Sequence, residues 1–226
     1  MLAPAAAAQA PRADRAAVGT LIVAHGGGPE WNARVEEVAR EVRLPGPVGV
    51  SFLMGPGAAA HRFQDVVRDL EARGAREIVV VPLLVSSHSG HYEQIAYLAG
   101  KRDTLDSTIS AEDYAAWMSN LRRIADTVKA RTGFRSVTVE LVRDDAPPPV
   151  RAEAARVRVL ITLQHELTRK PVVVVPVLVA SGQISRQKLP RDIEGLPIVY
   201  SGEALLPHAG MARWVEARVE QLDSTP

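Results

Sequence analysis

Val79-Val80-Val81-Pro82-Leu83-Leu84-Val85-Ser86-Ser87-His88-Ser89-Gly90-His91 is the stretch on which the reading of the fold turns, because a second stretch repeats it. The copy, Val173-Val174-Val175-Pro176-Val177-Leu178-Val179-Ala180-Ser181-Gly182-Gln183-Ile184-Ser185, keeps the apolar run and its proline but puts Gly182 opposite His88 and Ser185 opposite His91. A continuous run of β-branched residues and leucine reads as a strand covered on both faces, the pattern of a parallel sheet, and Ile78–Val85 is expected at the sheet centre. In open α/β sheets the carboxyl ends of such strands are where ligands bind. Two similar units with imidazoles at only one tip predict two halves built on one plan, with the chemistry on the first.

Around this stretch, apolar strands alternate with helical periodicity. Thr20–Ala24 reads as a strand, Pro29–Val42 as a helix, Val48–Leu53 as a strand and Ala58–Arg73 as a helix with Phe63, Val66, Val67 and Leu70 on one face, closed by Gly74. A polar segment, Lys101–Ser110, precedes a long amphipathic helix over Ala111–Thr132. The second half then reads as strand Val137–Val142, helix Val150–Leu167, strand Val172–Val179, polar loop Gln183–Arg191, strand Pro197–Tyr200 and helix Ala209–Leu222. It is one strand–helix unit short of the first half. The expected architecture is α/β: two similar halves, each a parallel sheet flanked by helices, with a cleft between them. The divisions fall at 1–17 for an Ala/Pro-rich tail, 18–110 for the half with the histidines, 111–134 for the connecting helix and 135–226 for the shorter half.

Composition narrows the function. The chain has 226 residues, of which 46% are apolar, enough for a sizeable core. With 27 basic and 26 acidic residues its formal charge is +1, so no whole-molecule field favours nucleic acid or an anionic membrane. Cysteine is absent, which excludes disulfides, thiolate nucleophiles and cysteine-ligated zinc. No apolar run approaches the roughly 20 residues that span a bilayer. Ala8-Gln9-Ala10 fits a small-x-small cleavage pattern, but a basic start and an apolar segment are missing. The cytoplasm is the expected compartment, with the periplasm as the alternative.

His25 ends the first strand in Ala24-His25-Gly26-Gly27-Gly28, and His88 and His91 follow the third. Imidazoles from separate strand ends, converging on one crevice, suit a divalent metal or proton transfer. The glycines match neither a P-loop nor a dinucleotide fingerprint and are read as room for close approach of a flat ligand. His61 and His165 are read as solvated helix residues, and His208 as a cap at a helix start. Asp144-Asp145, followed by Ala146-Pro147-Pro148-Pro149, reads as an exposed turn. The loop Ser185–Arg191 is locally basic, and Arg186 and Lys188 are candidates to receive substrate carboxylates. The serines near the histidines raise a hydrolase reading, for which no Gly-x-Ser-x-Gly elbow exists.

Three stretches together resemble the class II tetrapyrrole chelatases of the CbiX type: Leu21-Ile22-Val23-Ala24-His25-Gly26, the Val-Pro-Leu-Leu-Val run through His91, and Gly202-Glu203-Ala204-Leu205-Leu206-Pro207-His208. The resemblance implies two α/β halves around a cleft and insertion of a divalent ion, Co2+ or else Fe2+ or Ni2+, into sirohydrochlorin or a related tetrapyrrole without a nucleotide. It carries His25 over as the first-strand histidine. The family's second histidine falls seven or eight positions beyond the strand proline, at Ser89 or Gly90 here, so His88 and His91 are both retained as metal ligands or bases. Glu203 resembles the glutamate across the cleft. Gly26, Gly27, Ser87, Ser89, Arg186 and Lys188 are expected to line the macrocycle. The alternative is a non-catalytic metal or tetrapyrrole carrier; either would be a monomer or homodimer.

Overall fold

In a computed structural model, which describes residues 17–105, 110–141 and 148–223, the first strand is the axis of the molecule. β1 (Val18–Ala24) is buried along its whole length. It pairs in parallel with β2 (Val48–Phe52) on one side and β3 (Glu77–Leu83) on the other. Alternation along β1 divides the core. Val18, Ile22 and Ala24 face one side, with Val35 and Val38 of α1 (Pro29–Glu41) and Val215 and Val219 of α7 (Gly210–Asp223). Leu21 and Val23 face the other, with Leu70 of α2 (Phe63–Ala72) and Ile95 of α3 (Gly90–Leu98).

β3 therefore lies at the edge of this sheet and not at its centre. Pro82 gives the reason: it has no N–H to donate, so its strand tolerates one paired neighbour and not two. The unbroken apolarity that suggested a central place comes from cover on both faces, with Val81 and Leu83 in the core under α7 and Val80 and Leu84 against the α2–α3 side.

The second unit departs further from expectation. After α4 (Ala111–Arg131), residues 137–141 form no strand, and α5 (Pro148–Thr168) leads into β4 (Val172–Val174), only three residues long. β4 pairs in parallel with β5 (Ile198–Tyr200) as a separate two-stranded sheet. The rest of the repeated run leaves this sheet because its end enters the first core: Val179, Ala180 and Leu206 pack with β1 and α7. There the Leu205 and Leu206 N–H groups donate to Leu178 and Val179 at 2.9 and 2.8 Å. Val173, Val175, Val177 and Val199 are left exposed. The expected polar loop at 183–191 is helical, a π-turn over Ile184–Lys188 running into α6 (Leu189–Asp192). The tail before residue 17 and the Asp144-Asp145 pair lie outside the described residues. Among the described residues no helix is long and apolar enough to cross a membrane.

Where β1 and β2 end, they keep pairing: Leu53 and Met54 donate to Ala24 and His25 at 3.1 and 2.9 Å. This brings the Met54 carbonyl so close that a Cβ on Gly26, whose φ is +90°, would sit 2.1 Å from it. One close approach that Gly26 permits is thus to the chain's own backbone. Gly26→Ala combines strain with a backbone clash, and urea unfolding should show a loss of roughly 2–4 kcal/mol; a loss below about 0.5 kcal/mol would contradict this packing.

Candidate active site

His25 is the first residue past β1, and its ring is fixed at once. Its Nδ1 lies 2.6 Å from the Gly26 carbonyl oxygen. A carbonyl can only accept, so Nδ1 carries a proton and, in the neutral ring, Nε2 is the nitrogen with the lone pair. His91 meets it edge to face, with ring centroids 4.6 Å apart and planes at 87°. His91 sits in the first turn of α3, whose start is set by Ser89: the Ser89 hydroxyl accepts from the Tyr92 N–H at 3.3 Å and donates to the Ser86 carbonyl at 3.3 Å. Ser89 therefore orients the helix that presents His91.

His88 takes a different course. Its backbone N–H donates to the Ser86 hydroxyl at 3.0 Å, and its Nδ1 lies 3.9 Å from Asp113 at the start of α4. Asp113 closes a reciprocal cap with Ser110, accepting from the Ser110 hydroxyl at 2.8 Å and the Ser110 N–H at 3.1 Å. These bonds hold the Asp113 carboxyl below its ordinary value, helped by His88 and Arg102 and opposed by burial. The structure thus unites His25 with His91 and gives His88 its own carboxylate. Among the described residues no group of three or more His, Asp or Glu side chains is arranged to hold a metal ion.

Sequence reasoning passed over three residues here. Trp31 borders the pair, with its ring centroid 6.5 Å from that of His25. Asn32, buried in the same turn of α1, accepts the Gly27 N–H at 2.8 Å and so pins the loop that follows His25. Asp113 is the third. A signal for Trp31 existed: it is one of only 3 tryptophans and lies three positions beyond Gly28, the last glycine of the loop.

The remaining candidates are dispersed. Arg186 forms a two-pronged ion pair with Glu30 at 2.6 and 2.7 Å, and Lys188 pairs with Asp192. Ser87 lines an open groove of about 810 Å³ along the outer edge of β3, bounded by Pro82, Leu84 and Trp214 and by none of the histidines. Glu203 is exposed, and its N–H donates to the Ser201 hydroxyl at 3.2 Å. His208 caps as expected, accepting the Gly210 N–H on Nδ1 at 3.0 Å. His61 is not on a helix: it sits half-buried in the loop before α2, with its ring 5.1 Å from Phe52. His165, on α5, is likewise only half-exposed, its Nδ1 bonded to the Lys170 carbonyl at 2.9 Å.

This arrangement of strand, glycine loop and histidine-bearing helix coincides with a family match: the CbiX family model matches residues 19–131, from β1 to the end of α4. The chain belongs to the CbiX family. Membership makes it a chelatase-type enzyme of the sirohydrochlorin chelatase kind, with a divalent metal ion and a tetrapyrrole as its substrates. The match includes all three candidate histidines and Asp113, and stops before Arg186 and Glu203. No curated protein and no solved structure matches the chain.

The Asp113 cap carries a pH dependence. Because its folded value is depressed, its stabilisation of the α4 start is fully present above the ordinary value of 3.8 and is lost as pH falls below it. Asp113→Asn should reduce this acid-dependent loss of helix, followed by circular dichroism between about pH 5 and pH 2; an unchanged acid limb would remove the cap from the account.

Proposed function

We propose that this CbiX-family protein inserts a divalent ion, Co2+ in the first place and Fe2+ or Ni2+ as alternatives, into sirohydrochlorin or a closely related tetrapyrrole without nucleotide hydrolysis, using His25 and His91. The observation that carries this reading is the His25–His91 contact at 4.6 Å at the carboxyl edge of the first sheet. It favours His91 over His88 as the partner of His25. The two-halved plan, with the macrocycle held in a cleft between the units, is part of the proposal.

The chemistry asks for weak, reversible metal ligands and for bases. The incoming ion must exchange water for ligands it will soon give up, so two imidazoles suit it better than the closed four-ligand shell of a structural site. The macrocycle must lose its inner pyrrole protons as metal–nitrogen bonds form. His25, with Nδ1–H bonded to Gly26, offers Nε2 either to the ion or to a proton. His88, with Asp113 at 3.9 Å as counter-charge to an imidazolium, is suited to carry a proton outward. Glu203, exposed on the second unit, is proposed as the carboxylate acceptor.

A non-turnover carrier of metal or tetrapyrrole is the competing reading; two paired imidazoles retain an ion less tightly than a closed ligand shell, which disfavours the metal-carrier form. An anaerobic insertion assay with sirohydrochlorin should show His25→Ala and His91→Ala each lowering the rate by roughly 100-fold or more, and His88→Ala by less. Metal binding is read separately: Co2+ alone should quench the fluorescence of Trp31, identified by difference from Trp31→Phe, and the quench should vanish in either histidine variant. Full insertion activity in His91→Ala would assign the role elsewhere.

A further inference from the structure

Glu30 and Arg186 are 156 positions apart in sequence, yet they meet fork to fork at 2.6 and 2.7 Å. That is the geometry in which a guanidinium recognises any carboxylate. Its position matters more than its strength. Glu30 precedes Trp31 on the first turn of α1, and Trp31 borders His25. The Arg186 N–H donates to the Gly182 carbonyl at 2.9 Å. Gly182 lies against Trp31, so that a Cβ there would stand 3.3 Å from its ring. The turn that carries Arg186 and the helical turn that carries Glu30 thus both adjoin Trp31, which in turn borders His25.

Two features make this pair exchangeable. Both side chains are about half exposed, at 52% for Arg186 and 59% for Glu30, so separating them strands no charge away from water. The turn that carries Arg186 also holds its shape by other bonds. Ser185 is fully buried, its hydroxyl bonded to the Gly182 N–H at 3.0 Å and to the Gly182 carbonyl at 3.2 Å. The Tyr200 hydroxyl donates to the Ser185 carbonyl at 2.6 Å. Lys188, by contrast, is only 16% exposed and is committed to Asp192.

We infer that Arg186 is a carboxylate-receiving site beside the His25–His91 pair, that Glu30 occupies it as an internal ligand, and that a carboxylate-bearing macrocycle binds by displacing Glu30. The identity of the occupant as a tetrapyrrole rests on the proposed function; the carboxylate chemistry does not. Glu30 then sets specificity, because a ligand without carboxylates cannot compete for the fork.

The sign of two substitutions tests this. Binding is measured by titrating uroporphyrin, a polycarboxylated porphyrin, by its absorbance in the absence of metal, with citrate as a carboxylate that is not a macrocycle and inorganic phosphate as a control. Glu30→Gln should tighten uroporphyrin by about threefold or more, and Arg186→Gln should weaken it by roughly tenfold, with Arg186→Lys between them. A pair that only clasps the two units would make both substitutions act in the same direction, and that result, or no change in either, overturns the inference. If the wild type bound no uroporphyrin while citrate showed the opposed signs, the carboxylate site would stand and the tetrapyrrole reading would fall. A response to phosphate equal to that for citrate would overturn the assignment to carboxylate.

Discussion

Everything in this molecule hangs on β1 being hydrogen-bonded along both edges and buried on both faces. A strand so enclosed has no freedom of register, since a shift by one residue would exchange Leu21 and Val23 with Ile22 and Ala24 between two differently shaped cores. The fixed register delivers His25 to one place at the sheet's carboxyl edge. The continued pairing of Leu53 and Met54 beyond the strand then leaves the backbone at Gly26 a single course. The histidine is placed by backbone constraint before any side-chain contact is considered.

The second constraint is helical. Ser89 caps α3 and so fixes the first turn from which His91 reaches His25, while Ser110 and Asp113 cap α4 and Asp113 faces His88. Two caps thus separate two histidines that lie three positions apart. One is directed to the sheet edge and the other to a carboxylate, so a single segment presents two imidazoles with distinct partners. Under the proposed function, a cation that passes through and does not stay suits a site with few donors and firm backbone support.

The first sheet was legible because strands, helices and turns in residues 18–83 all agree locally. The order of its strands was misjudged because the apolarity of Ile78–Val85 was weighed and the missing donor of Pro82 was not. The second unit misled for another reason. Val173–Val179 is nearly a copy of the β3 run, yet Val179 and Ala180 find a better apolar environment in the first core than a copied strand would give them. Propensity was outvoted by packing with residues far away in sequence.

The sequence by itself determined the α/β class, the absence of thiol chemistry, the family, and the place of His25 after the first strand and of His88 and His91 after the third, because periodicity, composition and motif are local properties. Tertiary structure alone decided that His91 and not His88 meets His25, that Asn32 pins the glycine loop, and that Arg186 is held by Glu30. Those outcomes depend on which helix start faces which strand end. Such distances are set by packing between elements remote in sequence, such as α1 and α3 on opposite faces of the sheet.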